Sequence, residues 1–225
     1  LATSYILHST AVCGSALAWF LARELFTVHG SSFTGLDLVA LGTIADQMPL
    51  LGINRSLVKY GLPELSKTKR IGLQKLFRDS KLDNVGVYEV GYIIAPRINA
   101  MGRLSSAIDS LRFLCTRDPK KAEDLNKLLN DTNIERQKVV DDVLTQVLKQ
   151  VRDTEKVMII SGNYHEGVIG LASGKVTEKY YKPSIVLSIG ESISKATARS
   201  INGFNIIKAI KETELIIEGG GHPMA

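Results

Sequence analysis

The amino-acid sequence predicts an α/β protein made of two lobes that a long helix joins. A helical pattern of roughly 30 residues begins at Asp118, and it is too long for an ordinary globular helix. The residues before it show helical patterns. The residues after it alternate between short apolar runs, which are typical of strands, and helical segments. At 225 residues the chain is long enough for a substantial core.

Composition sets broad limits on the class of protein. Hydrophobic residues make up 44% of the chain and charged residues 23%, which is ordinary for a globular protein and does not favour disorder. The net charge of +5 mildly favours a polyanionic partner, although a slightly basic surface explains it equally well. The two cysteines, Cys13 and Cys115, have no CxxC spacing, so we expect neither a disulfide framework nor a thiolate zinc site.

Location is also predicted from the sequence. Two unpaired cysteines suit a reducing cytosol, so we expect a cytoplasmic protein. The best candidate for a membrane span, Thr10 to Ala22, ends at Arg23, is shorter than a span needs and has no basic leader before it. We therefore expect neither membrane association nor a signal peptide.

The first half of the chain reads as mostly helical. Residues Thr10 to Val28 predict a helix that is apolar on all sides and hence largely buried. The run LDLVALGT, which starts at Leu36, predicts either a short strand or a buried helical turn, since periodicity cannot separate the two at this length. Residues Asn54 to Asp79 form a basic amphipathic segment that we expect Pro63 to break.

The second half gives the clearest pattern. Asp118 can cap a helix with Pro119 at its first position, and apolar residues recur along it as far as Leu148. After it, KVMIISG predicts a strand, EGVIGLASGKVTEKY a helix, SIVLSIG and SKATARSI two strands, and FNIIKAIKE a helix. The boundaries that follow are residues 1–117 for the first domain, 118–154 for the connecting helix and 155–225 for a small α/β domain.

Asp46 ends the apolar run that begins at Leu36, just before Pro49. A carboxylate at the end of a rigid core element can bind a hard metal ion. It can equally cap a turn, and one aspartate cannot hold a catalytic Mg²⁺ or Mn²⁺ alone. Both interpretations stay open on the residues themselves.

Three further stretches suit an anion. In YIIAPRINAMGRL, Arg97, Asn99 and Arg103 lie beside Gly102, as in a phosphate-binding turn, or they form a basic turn before a helix that begins near Ser105. His165 precedes a predicted helix, where backbone N–H groups attract anions. A lone histidine there is more often structural.

The third stretch joins two motifs of the small domain. Arg199 and Ser200 lie on a predicted strand, on opposite faces. The run Gly219–Gly221 before His222 offers bare backbone amides that a phosphate can approach closely. The glycine turn alone is weak support, but together with the strand and His165 it favours phosphate or nucleic-acid binding.

The stretches LDLVALGTIADQMPLLGINRSLVKYGL, IAPRINAMGRL, NYHEGVIGLASGKVTEKYYKPSIVLS, ATARSINGFNI and GGGHPMA together resemble the RecJ single-strand-specific exonucleases of the DHH phosphoesterase family. The resemblance runs over nearly the whole chain, in order and spacing. It implies that residues 1–117 are the C-terminal part of a DHH catalytic domain. It also implies that residues 155–225 are most of the family's DHH-associated substrate-binding domain.

The resemblance implies roles for individual residues. Asp46 matches a metal-binding aspartate of the two-metal site, and Arg103 matches an arginine near the scissile phosphate. Residues that match the strand-gripping positions, including the grip on the 5′ end, are His165, Arg199, Ser200, Gly220, Gly221 and His222. Gln137, on the connecting helix, is expected to face the channel.

The family's remaining metal ligands are expected upstream of Leu1, since no Asp-His-His triplet occurs in the chain. We therefore expect a fragment without nuclease activity of its own. In the intact protein, the resemblance implies two Mn²⁺ or Mg²⁺ ions, 5′→3′ hydrolysis of single-stranded DNA with a 5′ phosphate, and work in DNA repair and recombination. A single-strand-binding protein or a helicase would be a further partner.

Two alternatives remain. A DHH-family phosphodiesterase that cleaves cyclic dinucleotides or short oligoribonucleotides shares the aspartate segment and the GGGH ending. PRINAMGRL and the long helix favour the exonuclease instead. A replication scaffold that keeps the fold and loses the metals is the other alternative, and the presence of Asp46 speaks weakly against it.

Overall fold

The computed structural model describes residues 6–28 and 34–225. The chain divides into two compact units, which we call the helical unit (Leu1–Met101 with Ala107–Asn130) and the mixed unit (Gly102–Ser106 with Asp131–Ala225). The predicted α/β class with a small mixed domain is confirmed. Within the described residues, no helix is long and apolar enough to cross a membrane.

The described part of the helical unit contains only helices and their connections. In chain order they are α1 (Gly14–Val28), α2 (Leu36–Ala45), α3 (Gly52–Ser66), α4 (Ile71–Asp79), α5 (Val87–Glu89), a π-helical turn (Val90–Ile94), α6 (Ala95–Leu104) and α7 (Ala107–Cys115). Helix α8 (Pro119–Gln150) starts in this unit. A core of fully buried side chains from five of these helices and the π-helical turn holds the unit together; it includes Leu65, Leu73, Leu76, Ile94, Met101, Phe113 and Leu129.

The run LDLVALGT forms helix α2, which decides between the two structures that the sequence left open. The helix buries residues on several sides, including Val39, Leu41 and Ile44, so its apolar pattern has no helical period. Helix α3 approaches it closely because Gly61 has no side chain. A Cβ atom at Gly61 would overlap the carbonyl oxygen of Leu36.

Three local predictions in this unit are wrong. Helix α1 is not largely buried: among its side chains only Ala16 is buried, and Leu25 is 54% exposed. Pro63 lies inside α3 rather than breaking it, and the interruption falls at Lys67–Arg70. The segment around Pro96 is helical rather than a turn, because the π-helical turn before it leaves room for a residue without an N–H.

The long helix is confirmed. Helix α8 has 32 residues, about 48 Å at 1.5 Å per residue. Its start agrees with the predicted cap: the carboxylate of Asp118 accepts from the backbone N–H groups of Lys120 (2.8 Å) and Lys121 (3.3 Å), and Pro119 takes the first position. The helix contributes residues to both units.

The mixed unit has the predicted order of strand, helix, two strands and helix. These are β1 (Met158–Gly162), α9 (Glu166–Tyr180), β2 (Ser184–Ser188), β3 (Lys195–Arg199) and α10 (Ile206–Glu212). The sheet order is β1–β2–β3, with β1 parallel and β3 antiparallel to β2. Because Ser184 pairs with Arg199 and Ser188 with Lys195, the start of β3 lies beside the end of β2.

One core joins α8, α9 and the sheet. Buried apolar side chains come from the second half of α8, from β1 and β2, and from α9; among them are Val140, Val143, Val147, Met158, Ile160, Val168, Ile169, Val176 and Val186. The first turn of α9, at Glu166, lies at the carboxyl end of β1. In a parallel β–α unit, ligands bind at this end of the strand.

Candidate nucleic-acid interface

Helix α9 begins at His165, as predicted. The imidazole caps the helix, because Nδ1 accepts from the backbone N–H of Gly167 at 3.1 Å. In the neutral ring, Nε2 then carries the proton and is the nitrogen left to donate to a ligand. His165 is exposed, so such a ligand can reach it.

The turn before His165 is fixed by the buried side chain of Tyr164. Its hydroxyl accepts from Gln150 Nε2 at 2.8 Å, and its carbonyl accepts from the hydroxyl of Ser188 at 2.5 Å. Burial raises the pKa of Tyr164, so the phenol stays protonated at neutral pH. These contacts hold the helix start rigidly against β1 and β2.

Arg103 lies against the first turn of α9. Its guanidinium Nη1 donates to the carbonyl of Gly167 at 3.2 Å, and a Cβ atom on Gly167 would overlap the carbonyl oxygen of Arg103. The last turn of α6 and the first turn of α9 can approach this closely only because residue 167 is glycine. Arg103 and His165, from separate sequence motifs, thus meet in the mixed unit.

Three arginines of the mixed unit form what we call the arginine cluster: Arg103, Arg136 and Arg199. Burial lowers the pKa of Arg136, and the charge of Arg103 lowers it further, while Asp141 acts in the opposite direction. Burial, followed by the charge of Arg103, also lowers the pKa of Arg199. Because arginine stays protonated in proteins, the charge of Arg103 acts against those of Arg136 and Arg199, and all three side chains are half-buried.

Neutral groups hold these guanidinium groups in place. Asn133 Oδ1 accepts from Arg136 Nη2 at 3.0 Å, and the Ala198 carbonyl accepts from Arg199 Nη1 at 2.8 Å. Among the described residues, no acidic side chain forms an ion pair with any member of the cluster. Positive charge that is partly desolvated and has no anionic partner is suited to bind a phosphate.

An open cleft of about 440 Å³ runs beside the cluster. Its lining comes from the end of α6, the start of α9 and strand β3, and consists of Gly102, Arg103, His165, Glu166, Gly167, Ile169, Lys195, Ala196 and Thr197. On its rim, Lys195 Nζ donates to Glu166 Oε2 at 2.6 Å. Gly170 lets β3 approach α9, since a Cβ atom there would lie 3.2 Å from Thr197 Cγ2.

The glycine–histidine turn packs beside Ser200. The backbone N–H of Ser200 donates to the Met224 carbonyl at 2.9 Å, while Gly220, Gly221 and His222 are exposed. The hydroxyl of Ser200 is buried and donates to the Phe204 carbonyl at 2.7 Å. The hydroxyl of Ser200 therefore fixes the loop that leads to Phe204. Its backbone N–H connects the end of the strand motif to the glycine–histidine turn.

Comparison with known proteins identifies the family of this chain. Residues 138–225 match the DHHA1 domain family. The chain is 38% identical over 199 residues to the single-stranded-DNA-specific exonuclease RecJ of Bacillus subtilis and 35% identical over 191 residues to that of Thermus thermophilus, covering 84% of this chain in each case. The chain belongs to the RecJ family. It spans 25% and 28% of the length of these two relatives.

RecJ crystal structures support the same assignment. RecJ from Thermus thermophilus in complex with Mg²⁺ superposes with a TM-score of 0.84 at 32% identity, over 92% of this chain and 34% of that one. An exonuclease RecJ bound to manganese gives 0.79 at 32% identity, over 95% and 55% of the two chains. Divalent metal ions thus accompany these RecJ folds.

In the helical unit of this chain, Asp46 is an exposed residue at the end of α2. Its N–H donates to the Gly42 carbonyl at 2.9 Å, and Gln47 follows in the left-handed region at φ 53°. Among the described residues, no group of three histidine, cysteine or acidic side chains lies close enough together to hold a metal ion. Asp46 can supply one hard oxygen ligand, and the described residues do not complete a site around it.

The other predicted residues lie on helices. Arg97 belongs to the helical unit, where Nε donates to Asn130 Oδ1 at 2.8 Å and Nη1 to the Ile93 carbonyl at 2.6 Å; burial lowers its pKa. Asn99 is exposed on the same helix, and Gln137 is exposed on α8. Their roles stay predictions.

Sequence reasoning missed Arg136 and the asparagine that holds it. Asn133 and Arg136 are three residues apart on a predicted helix, and Arg136 directly precedes Gln137. That spacing places both on one helical face, which was a usable signal. Nothing local indicated that Arg103 and Arg199 would join them, because that requires the packing of the mixed unit.

Proposed function

We propose that the intact protein is a single-stranded-DNA-specific exonuclease that degrades DNA in the 5′→3′ direction, and that this chain carries its strand-gripping part. The arginine cluster carries the proposal, because Arg103 lines the cleft, its charge acts on Arg136 and Arg199, and none of the three forms an ion pair among the described residues. Such positive charge favours the binding of an anion. The names of the relatives, single-stranded-DNA-specific exonucleases, support the choice of polymer.

In this proposal the arginine cluster binds consecutive phosphate oxygens of one strand. Arg103 lies nearest the transferring phosphate, offsets its charge, and so stabilises the in-line transition state. His165 donates from Nε2 to a neighbouring phosphate. All of these contacts address the backbone rather than base edges, so binding is independent of sequence.

The 5′ end would be recognised by Arg199 together with the amides of Gly220 and Gly221. Ser200 holds their loops together, and its hydroxyl would reach a phosphate only by giving up its bond to Phe204. Recognition of a terminal phosphate by a fixed pocket would give the 5′→3′ polarity. Gln137, on the exposed side of α8, would contact the strand as it leaves Arg136.

Two Mn²⁺ or Mg²⁺ ions, with Asp46 as one ligand, would supply an activated water and stabilise the attacking and leaving oxygens. The proposed organisation keeps residues 1–117 in the catalytic domain, 118–154 as the connecting helix and 155–225 as the substrate-binding domain. DNA repair and recombination are the proposed duties, and a single-strand-binding protein or helicase the proposed partners.

The test is fluorescence-anisotropy binding of the 225-residue chain to a short labelled single strand with a 5′ phosphate. Competitors are the unlabelled 5′-phosphorylated strand, the same strand with a 5′ hydroxyl, the duplex and a cyclic dinucleotide, all at one salt concentration because phosphate contacts depend on salt. We expect the 5′-phosphorylated strand to compete best. Stronger competition by the cyclic dinucleotide would assign the protein to the small-nucleotide branch, and equal competition by duplex would overturn single-strand selectivity.

A further inference from the structure

The helical unit has a basic cleft of its own, which we call the KTKR cleft. It has a volume of about 690 Å³ and is larger than the cleft beside the arginine cluster. The sequence Lys67-Thr68-Lys69-Arg70, which connects α3 and α4, forms one wall, and residues Leu114 to Arg117, at the end of α7 and just after it, form another. Two segments more than 40 residues apart thus bring four cationic side chains to one cavity.

Most of this positive charge is uncompensated. Lys67, Lys69 and Arg117 are exposed, and among the described residues none of them forms an ion pair. Arg70 differs, because its Nε donates to the buried carboxylate of Asp37 at 2.9 Å.

Two acidic side chains, Asp37 and Glu64, line the cleft against four cationic ones, which leaves an excess of two positive charges. Asp37 is satisfied internally, since Thr68 Oγ1 also donates to it at 2.8 Å. The three free cations are therefore the groups that an incoming ligand meets.

The remaining surface of the cleft narrows the choice of ligand. Pro63, Ile71 and Leu114 contribute apolar surface, and among the described residues its lining contains no aromatic ring on which a base could stack. Flexible lysines and an arginine around an open cavity bind phosphate oxygens as point charges, without reading bases. A phosphodiester backbone fits this chemistry better than a free nucleobase does.

We propose that the KTKR cleft is a second contact for the phosphate backbone of single-stranded DNA, in addition to the arginine cluster. The choice of polymer rests on the proposed function. The contact would bind a part of the strand that the 5′-end pocket does not hold. It would add affinity and salt dependence without adding 5′-end discrimination.

Cys115 provides a direct test, because it lines the cleft and is exposed whereas Cys13 is buried. The thiol of Cys115 in the 225-residue chain is alkylated with a photoactivatable azide, the labelled single strand is added, and the sample is irradiated. We expect a protein–DNA adduct that excess unlabelled strand suppresses. The matched control carries Cys115→Ser and Lys127→Cys, which moves the label to an exposed position on α8 outside the cleft, and should give a much weaker adduct.

Charge removal is the second test. In the triple variant Lys67→Ala, Lys69→Ala, Arg117→Ala, the plot of log affinity against log salt should become less steep. We expect the magnitude of its slope to fall by about 2, since each phosphate contact on a single strand contributes about 0.7. A control triple variant removes three exposed cations elsewhere in the helical unit, Lys59, Lys81 and Lys127, and should change the slope far less. Circular dichroism of both variants checks that the fold is kept.

The outcomes separate this proposal from the proposed function. A lower salt slope with 5′-phosphate preference intact supports the cleft as a backbone contact. An unchanged slope and no specific adduct would overturn it, even if the arginine cluster still binds the 5′ end. If an acidic peptide such as oligoglutamate suppressed the adduct and single-stranded DNA did not, the cleft would be a protein-binding site and the proposal would be wrong.

Discussion

Arg70 of the helical unit and the arginine cluster of the mixed unit differ in the groups that compensate their charge. Arg70 pairs with the buried carboxylate of Asp37. The members of the arginine cluster donate hydrogen bonds to neutral groups, as Arg97 of the helical unit also does, and the charge of Arg103 acts against those of Arg136 and Arg199.

This difference indicates the role of the arginines in each case. A half-buried cation with a carboxylate partner contributes to the fold, and breaking the pair costs stability. A half-buried cation next to other cations lowers the stability of the free protein. A bound anion offsets this loss. We therefore expect mutation of the Arg70–Asp37 pair to affect stability and mutation of the arginine cluster to affect binding.

The largest expected effect tests the packing that supports the arginine cluster. Gly167→Ala places a Cβ atom on the Arg103 carbonyl, which is backbone and cannot move aside, so we expect a loss of about 3 kcal/mol in the free energy of unfolding. Urea unfolding followed by circular dichroism measures it. Gly174→Ala, in the same helix with nothing within 4 Å of the new atom, should be neutral or stabilising by about 0.5–1 kcal/mol. Equal losses in the two variants would contradict the close contact.

The ion pair of the helical unit gives the next effect. Asp37→Ala leaves Arg70 and the hydroxyl of Thr68 without their partner, so we expect a loss of about 2 kcal/mol in the free energy of unfolding. Thermal unfolding measures it. The control is Asp109→Ala, which breaks the more exposed pair with Arg112 and should cost less than about 1 kcal/mol. If 5′-end discrimination also disappeared in Asp37→Ala at a temperature where it is folded, the division of roles between units would be wrong.

In the mixed unit, Arg199→Ala should behave in the opposite way. Removing one of three like charges relieves repulsion, so the free energy of unfolding should stay constant or rise at low salt. Binding of a 5′-phosphorylated single strand should weaken about tenfold, since a charge-assisted bond to phosphate contributes about 1.5–3 kcal/mol. Anisotropy titrations with 5′-phosphate and 5′-hydroxyl strands measure both affinity and discrimination.

Two controls accompany that variant. Arg152→Ala removes an exposed arginine of the same unit and should leave discrimination unchanged. Arg199→Lys keeps the charge but loses the planar fork, so it should restore affinity only in part. Full discrimination in Arg199→Ala would remove Arg199 from the 5′-end pocket.

The smallest expected effect compares two asparagines on α8. Asn133→Ala frees Arg136 from its Oδ1 partner, so we expect single-strand affinity to fall about threefold to fivefold, the loss of roughly one neutral hydrogen bond. Asn130→Ala frees Arg97 in the helical unit and should change affinity less. Added salt should narrow the gap between the two variants, because it screens the charge of Arg136. A larger loss of affinity in Asn130→Ala would place Arg97 in the binding surface as well.

Local sequence signals predicted the mixed unit well. The strand and helix order from β1 to α10 follows the predicted segments, and the cap at Asp118 and the helix start at His165 are where the sequence indicated. Caps, prolines and alternation act over a few residues, so the sequence expresses them directly.

The helical unit was harder to predict for a physical reason. Helix α2 is buried on several sides, so its residues lack the polar face that reveals a helix. The segment around Pro96 looked like a turn, and only the π-helical geometry before it allows the helix to include the proline. The exposure of α1 depends on what packs against it, which no local pattern records.

The sequence by itself determined the order of elements in the mixed unit, the long helix, and the candidates Arg103, His165 and Arg199 as separate motifs. Only the tertiary structure decided that Arg103 and Arg199 share a cluster with Arg136, and that the KTKR segment shares a cleft with Arg117. These residues lie 33 to 96 positions apart along the chain. The arginine cluster depends on close contacts, such as that of Gly167 with the Arg103 backbone, which arise only when helices and strands pack.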